Sequence, residues 1–375
     1  MAKLLFISNI AKRVGSFSVA SIAAAKKIGF EYYYAANWSA TPIEQRNEDE
    51  NKFGIKLVNI DLNRSPYSSQ NIKAYKQLVQ FINENKIDYI HCNTPVGGIL
   101  GRLAGEKCHV KKVIYQAHGF HFYKGAPKKN WLIYYPIEKW LAKKTDAIIT
   151  INKEDYECAK RFTLRNKGKV YYVPGVGINL SNFENNQNFR YKKRTEMSIN
   201  DSTFVILSVG ELNKNKNNEV IIKALSEIHE KNILYLMCGV GDKKKVLENQ
   251  IANLGLNDRI KFLGYRTDVK DLMCASDLFV MPSLREGLSR SLMEAMACSL
   301  PCVVSKIRGN SDLIQDDRGG YLVSAKDTEG FTKAINNIIN NPNLRVKMGK
   351  YNLNRINSFS LNKVVEELIG IYKNL

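Results

Sequence analysis

The stretch "MPSLREGLSRSLMEAMACSLPCVVS", Met281 to Ser305, decides how this chain is read. It opens at the end of an apolar run, "LFVMPS", passes through a short loop holding Glu286 and Gly287, and reaches a pair of serines, Ser289 and Ser291. A serine just before an apolar-periodic run is a helix N-cap signal, so a helix is expected from there to about Cys298. A second apolar run, "PCVVS", follows. Strand, loop, helix and strand in this order form the repeating unit of a parallel sheet. The unpaired N–H groups and dipole of the helix start make an anion site that needs no metal. A carboxylate beside that site would repel an anion. Glu286 and Glu294 therefore read as acceptors for hydroxyl groups, and anion donors next to hydroxyl acceptors describe a sugar nucleotide. The residues alone leave open an ordinary capped helix with surface glutamates.

The same alternation extends in both directions. Towards the start lie "KLLFIS", "EYYYAAN", "IKLVNIDL", "YIHCNT", "KVIYQAHG" and "AIITIN", with helical patterns between them, the longest from Ser68 to Asn85. Strands that are apolar throughout belong to parallel sheets covered on both faces. "SNFENNQNFRYKKRTEMSIND" is polar, rich in Asn and without apolar period, which marks it as a linker. A second series follows, "TFVILSVG", "LYLMCG", "IKFLG", "LFVMPS" and "PCVVS", and the chain from Thr328 onward is helical. A length of 375 residues exceeds what one core supports. The expectation is an α/β protein of two facing Rossmann-like domains, residues 1–190 and 200–345. Helices follow over 346–375, the last near Leu361 to Asn374 packing back on the first domain. Ligands in such sheets bind outside the carboxyl ends of strands.

Composition narrows the function classes. With 44% hydrophobic and 25% charged residues the chain is neither disordered nor membrane-embedded. No apolar run nears the ~18 residues of a membrane span, and "MAKLLFISNIAKRVG" lacks a signal-peptide core, so a cytoplasmic protein is expected. The seven cysteines form no C-x-x-C pair and read as reduced core residues. A net charge of +20 favours polyanionic company, either nucleic acid or an anionic membrane surface. No nucleic-acid motif is present. In "FHFYKGAPKKNWLIYYPIEKWLAKK", by contrast, lysines 124, 128, 129, 139, 143 and 144 stand among aromatics, a composition suited to anionic headgroups. Within it Trp131, Leu132, Tyr135 and Trp140 read as the buried stripe of a core helix, leaving the lysines and the "GFHFYKGAPKK" loop to dock by charge. His118 and His121 have no third ligand nearby, which argues against a metal.

"EGLSRSLMEAMA", followed by "LPCVVS" and "GGYLV", closely resembles the donor-site signature of family-4 retaining glycosyltransferases of the GT-B fold. The resemblance covers nearly the whole chain. "LSVGELNKNKNNEVIIKAL", "CGVGDKKKVLE", "YVPGVGINLSNF" and "AHGFHFYKGAPKKNWLIYYPIEKWL" resemble enzymes that build bacterial capsular or exopolysaccharide repeat units. It implies that Glu286 lies by the donor sugar, with the backbone of Gly287, Leu288 and Ser289 by its hydroxyls and pyrophosphate. Glu294 would accept from the ribose, and Lys216 would neutralise the pyrophosphate. Most of the family has an arginine five positions before that lysine; here Glu211 stands there, and Arg266 or Arg290 would have to replace it. His118 would face the donor sugar, Gly15 would let the backbone approach phosphate, and Tyr265 with Arg266 would hold the base, Arg266 reading equally well as part of a surface turn. No D-x-D triplet stands where a metal-dependent transferase would hold its metal.

These readings imply a metal-independent retaining transfer of a sugar from a nucleoside-diphosphate donor, UDP-linked, to a hydroxyl of a polyprenyl-linked saccharide. The protein would work without a cofactor, peripherally on the inner face of the cell membrane, and without nucleic acid. The alternatives are a sugar-nucleotide epimerase on the same fold, or a non-enzymatic nucleic-acid-binding protein.

Overall fold

The computed structural model describes residues 1–183, 187–230 and 232–375, and the chain divides into two compact units. The first holds Met1–Gly177 and Leu361–Leu375, the second Ile178–Ser360. Seven parallel strands form the first sheet: β1 (Lys3–Ile10), β2 (Glu31–Asn37), β3 (Lys56–Asn59), β4 (Tyr89–Asn93), β5 (Lys112–Ala117), β6 (Ala147–Thr150) and β7 (Lys169–Tyr172). Six form the second: β8 (Phe204–Val209), β9 (Ile233–Cys238), β10 (Ile260–Gly264), β11 (Leu278–Met281), β12 (Cys302–Ser305) and β13 (Gly320–Val323). Their spatial orders are β3-β2-β1-β4-β5-β6-β7 and β10-β9-β8-β11-β12-β13. Each order reverses beside the unit's first strand, between β1 and β4 and between β8 and β11. Such a reversal opens a crevice at the carboxyl ends of the strands.

Strand periodicity explains why these runs are apolar throughout. Along β1, Leu5 and Ile7 enter one core with Leu78 and Ile90, while Leu4 and Phe6 enter the opposite core with Tyr34 and Leu368. Along β8, Val205 and Leu207 pack with Phe279 and Met296 on one face, Phe204 and Ile206 with Ile221 and Phe331 on the other. Successive side chains point to opposite faces, and helices cover both. The result is the expected pair of Rossmann-like domains.

The helix Leu361–Lys373 returns to the first unit, as expected. It lies on the helix Ser16–Lys27 and buries Val364, Val365, Leu368, Ile371 and Tyr372 in the core. The Tyr372 hydroxyl lies 2.7 Å from His91 Nδ1.

The boundaries differ from those expected at 190–200 and 345. Of the stretch read as a linker, residues 184–186 lie outside the described residues, and Gln187–Glu196 forms a helix of the second unit. Charge anchors that helix: Arg190 and Arg194 each pair with Asp277 at 2.7 Å, and Lys193 with Asp268 at 2.7 Å. An ionic anchor leaves no apolar period in the sequence. At the other boundary one continuous helix, Pro342–Ile356, sends Met348 and Ile356 into the second unit's cores, so the chain stays there until Ser360.

Candidate functional site

In the second unit β8 ends at Val209, and Gly210 (φ 156°) turns the chain into "ELNKNKNN" before the helix Glu219–Ser226. A Cβ on Gly210 would stand 2.8 Å from Lys216 Cε, so the glycine leaves room for that lysine to fold over the strand end. Lys216 Nζ donates to Glu286 Oε1 at 2.8 Å, the side chains being 20% and 15% exposed. Because β8 and β11 flank the reversal of strand order, the pair spans the switch point.

The loop that carries Glu286 is fixed by its neighbours. Leu284 N–H donates to the Asn215 carbonyl at 2.8 Å, and Asn215 Nδ2 donates to the Arg285 carbonyl at 3.0 Å. Asn217 Nδ2 donates to the carbonyls of Pro282 at 3.0 Å and Ala325 at 2.7 Å. Buried Arg308 donates through Nε to the Glu286 carbonyl at 3.2 Å. Gly309 (φ 77°) lies so close that a Cβ there would meet the Gly287 carbonyl oxygen at 2.3 Å. Sequence reading passed over Asn215, Asn217 and Arg308. The asparagines were findable, since Asn alternating with Lys after a strand marks a turn whose side chains bond backbone; Arg308 gave no signal.

Past Gly287 and Leu288, Ser289 caps the helix Arg290–Ala297, accepting from Leu292 N–H at 3.4 Å. Ser291 Oγ lies 3.2 Å from Ser289 Oγ. On that helix Arg290 Nε donates to Glu294 Oε1 at 2.8 Å, and burial raises the Glu294 pKa against the lowering effect of Arg290. A small cavity at the strand ends is lined by Ser208, Gly210, Lys216, Asn218, Met281 and Pro282.

Tyr265 and Arg266 sit apart from this cluster, after edge strand β10. Tyr265 is 78% exposed. Arg266 donates to both carboxylate oxygens of Asp268, at 2.7 and 2.5 Å. That guanidinium, together with Lys193, holds the Asp268 carboxyl well below the usual carboxylate range. Asp268, paired with both Arg266 and Lys193, thus ties this loop to the helix Gln187–Glu196. Both cations considered for the position of Glu211 are paired with acids, Arg266 with Asp268 and Arg290 with Glu294. Glu211 itself is exposed and accepts from Asn213 Nδ2 at 3.0 Å.

The remaining two residues belong to the first unit. Gly15 precedes the helix Ser16–Lys27 in extended conformation, and a Cβ there would meet nothing closer than Arg13 O at 4.0 Å, so the space beside it is open. The Phe17 ring packs edge-on against His118 at 4.9 Å. His118, just past β5, has Nε2 2.8 Å from Asn93 Oδ1 at the end of β4. Burial lowers its pKa to about 4, so the imidazole is neutral at pH 7. In this orientation Nε2–H donates, while His118 Nδ1 and Asn93 Nδ2 are buried without partners among the described residues. One acceptor and one donor thus stand unpaired beside the first switch point. Among the described residues no group of three or more His, Cys, Asp or Glu could hold a metal ion.

The stripe expected to be buried on the helix Lys128–Ala142 is not. Leu132 is 76% exposed, Trp140 50% and Trp131 39%. Only Leu141 and Ala142 of this helix are buried, with Tyr135 half-buried against Phe122 and Phe162 and Glu138 paired with Arg102 at 2.7 Å. The face turned to the core carries Tyr135, Glu138 and Ala142, with Trp131 at its edge against Phe122; Leu132 and Trp140 lie about a quarter-turn or more from it.

The family model of group 1 glycosyl transferases matches residues 189–355, and that of 4-like glycosyl transferases matches residues 39–152. EpsD of Bacillus subtilis, named as a glycosyltransferase, is 34% identical over 375 residues, covering 99% of this chain and 96% of its own. The UDP-Gal:alpha-D-GlcNAc-diphosphoundecaprenol alpha-1,3-galactosyltransferase of Escherichia coli is 30% identical over 309 residues, 81% of this chain and 79% of its own. HepE of Anabaena, solved with UDP and glucose, superposes with a TM-score of 0.81 at 20% identity, covering both chains fully. A fold of two Rossmann-like units, matched along nearly its whole length by such relatives, makes this chain a member of the 4-like glycosyltransferases of the GT-B fold.

Proposed function

We propose that the protein moves a sugar, with retention, from a UDP-linked donor to a hydroxyl of a polyprenyl-diphosphate-linked saccharide in the assembly of a surface polysaccharide. One observation carries the reading: a cation and a carboxylate, Lys216 and Glu286, meet at the second switch point beside a capped helix start. A diphosphate needs the cation and the free N–H groups; a sugar needs the carboxylate as hydroxyl acceptor. Lys216 stabilises the charge that grows on the departing diphosphate, a role its compact ammonium suits. Glu286 orients the sugar, and Glu294 accepts from the ribose. The unpaired His118 Nδ1 and Asn93 Nδ2 suit sugar hydroxyls, one donating to the imidazole and one accepting from the amide. In a same-face displacement the leaving phosphate oxygen takes the acceptor's proton, so the protein supplies position and charge rather than a base. No metal is assigned to the site. The acceptor named for the Escherichia coli relative supports a lipid-linked acceptor here, and such an acceptor sets the enzyme on the cytoplasmic face of a membrane.

The test is a thermal-shift panel of sugar nucleotides followed by product analysis. A donor at a hundred times its Kd stabilises by about 2.7 kcal/mol, which raises Tm by roughly 5–10 °C for a unit of this size. Retention is read from the anomeric configuration of the product. No shift with any sugar nucleotide, or epimerised donor without transfer, overturns the proposal.

A further inference from the structure

We infer that the outward face of the helix Lys128–Ala142 docks on an anionic lipid bilayer, its apolar residues lying among the headgroups and its lysines on the lipid charges. The inference rests on the lipid-linked acceptor proposed above for its use, and on the helix itself for its observations. Leu132 is 76% exposed, Ile133 53%, Ile137 39% and Trp140 50%. With Pro136 they recur at i, i+1, i+4, i+5 and i+8, so they share one side of the helix. A helix facing water carries polar residues there; this one presents an apolar centre with no acidic residue in it.

Charge surrounds that centre. Lys129 near one end and Lys143 past the other fall on the same side by helical spacing, and Lys124, Lys128 and Lys139 are exposed close by. Of the neighbouring acids, Glu138 pairs with Arg102 at 2.7 Å and Glu106 with Lys144 at 2.6 Å, while Glu154 accepts from the Lys124 N–H at 2.5 Å, one carboxylate against the five exposed lysines. Lys144 also lies over the Trp140 ring, 4.7 Å from its centroid. The uncompensated charge on this face is therefore positive. An apolar strip bordered by lysines and an indole is what an interfacial helix needs to lie in the headgroup plane. At 15 residues it spans about 22 Å, and no helix among the described residues is long and apolar enough to cross a membrane. A protein partner would need acidic residues around an apolar groove; a bilayer rich in anionic lipid supplies both features without a specific fit. The helix is reached from His118 in ten residues, so docking sets the first unit's candidate site beside the headgroups where a lipid-linked saccharide begins.

Co-sedimentation of the full chain with vesicles of phosphatidylcholine, with and without phosphatidylglycerol, tests this. The expected result is binding that rises with phosphatidylglycerol and falls with salt. Replacing Lys124, Lys129 and Lys143 with Ser should cost roughly fivefold in partition coefficient per lysine. The variant L132S/I133S, which changes exposed side chains only, should bind at least tenfold more weakly at every lipid composition, and its Trp140 fluorescence should lose the blue shift on adding vesicles. Binding of the wild type to neither vesicle, or equal binding by wild type and both variants, overturns the inference. So does a wild-type dimer that L132S/I133S converts to monomer, because the face would then be covered by a second copy. Donor-induced thermal shift, measured in parallel without lipid, reports on the transferase reading separately.

Discussion

Replacing Lys216 with alanine removes the cation from the second switch point and leaves Glu286 in place. Two costs follow from the geometry. The pair is 2.8 Å long with side chains 20% and 15% exposed, between the exposed and the fully buried case. Exposed pairs are worth ~0–1 kcal/mol, and breaking a buried one costs ~3–5 kcal/mol, so a stranded but partly hydrated Glu286 should cost about 1–2 kcal/mol. For a unit of this size that lowers Tm by roughly 2–8 °C. The second cost falls on the reaction. Losing a group aimed at developing charge lowers kcat by ~10²–10³, and with Glu211 standing where the resemblance implies an arginine the effect should reach the upper end. The assay is kcat/KM with the donor found in the thermal-shift panel, alongside Tm without donor. In the double variant K216A/E286Q no charge is stranded, so part of the lost Tm should return while activity stays low. Near-normal kcat/KM in Lys216→Ala, with Tm lowered, would refute the reasoning and make the pair a structural tie alone.

Glu294→Gln should raise the donor KM severalfold with kcat nearly kept, whereas Glu286→Gln should lower kcat by tenfold or more with KM little changed; steady-state kinetics on both decides the division of roles. Activity should survive EDTA, and a requirement restored only by Mg²⁺ or Mn²⁺ would overturn the charge-only phosphate site. Burial lowers the His118 pKa to about 4 and that of His91 to about 3, so between those values and the unfolded value near 6.5 the unfolded chain binds more protons. Stability should therefore be fully present above about pH 6.5 and fall as pH drops through that window, by up to ~1.4 kcal/mol per pH unit for each histidine. His118→Gln should show a shallower fall in urea-denaturation series at pH 7, 6 and 5, with the His91 contribution retained.

The legibility of this chain was uneven for physical reasons. Both sheets could be read because strands such as "KLLFIS" and "LFVMPS" are buried on two faces and so apolar without interruption. The helix start at Ser289 could be read from its capping chemistry alone. The helix Gln187–Glu196 could not, because Arg190, Lys193 and Arg194 attach it by charge and leave no period to find. The helix Lys128–Ala142 departs in the opposite sense: its apolar residues read as core in the sequence because periodicity reports amphipathicity and not which side faces the protein. At the site, Glu286 is legible from its place beside a helix start and Lys216 only through resemblance, and their contact across 70 residues needs the sheet order to appear. Arg308 was invisible because its role depends on a carbonyl 22 residues earlier in the chain.

The return of the last helix governs the order in which the molecule can be completed during synthesis. Residues 1–177 emerge first, yet the core on one side of their sheet lacks Val364, Val365, Leu368, Ile371 and Tyr372 until everything from Ile178 to Ser360 has been made. The nascent first unit must wait with an uncovered apolar flank and with buried His91 lacking its tyrosine, while the second unit can close around its own strands. A chain cut at Ser360 would accordingly damage the half of the protein farthest from the cut in sequence, leaving the later-made half whole.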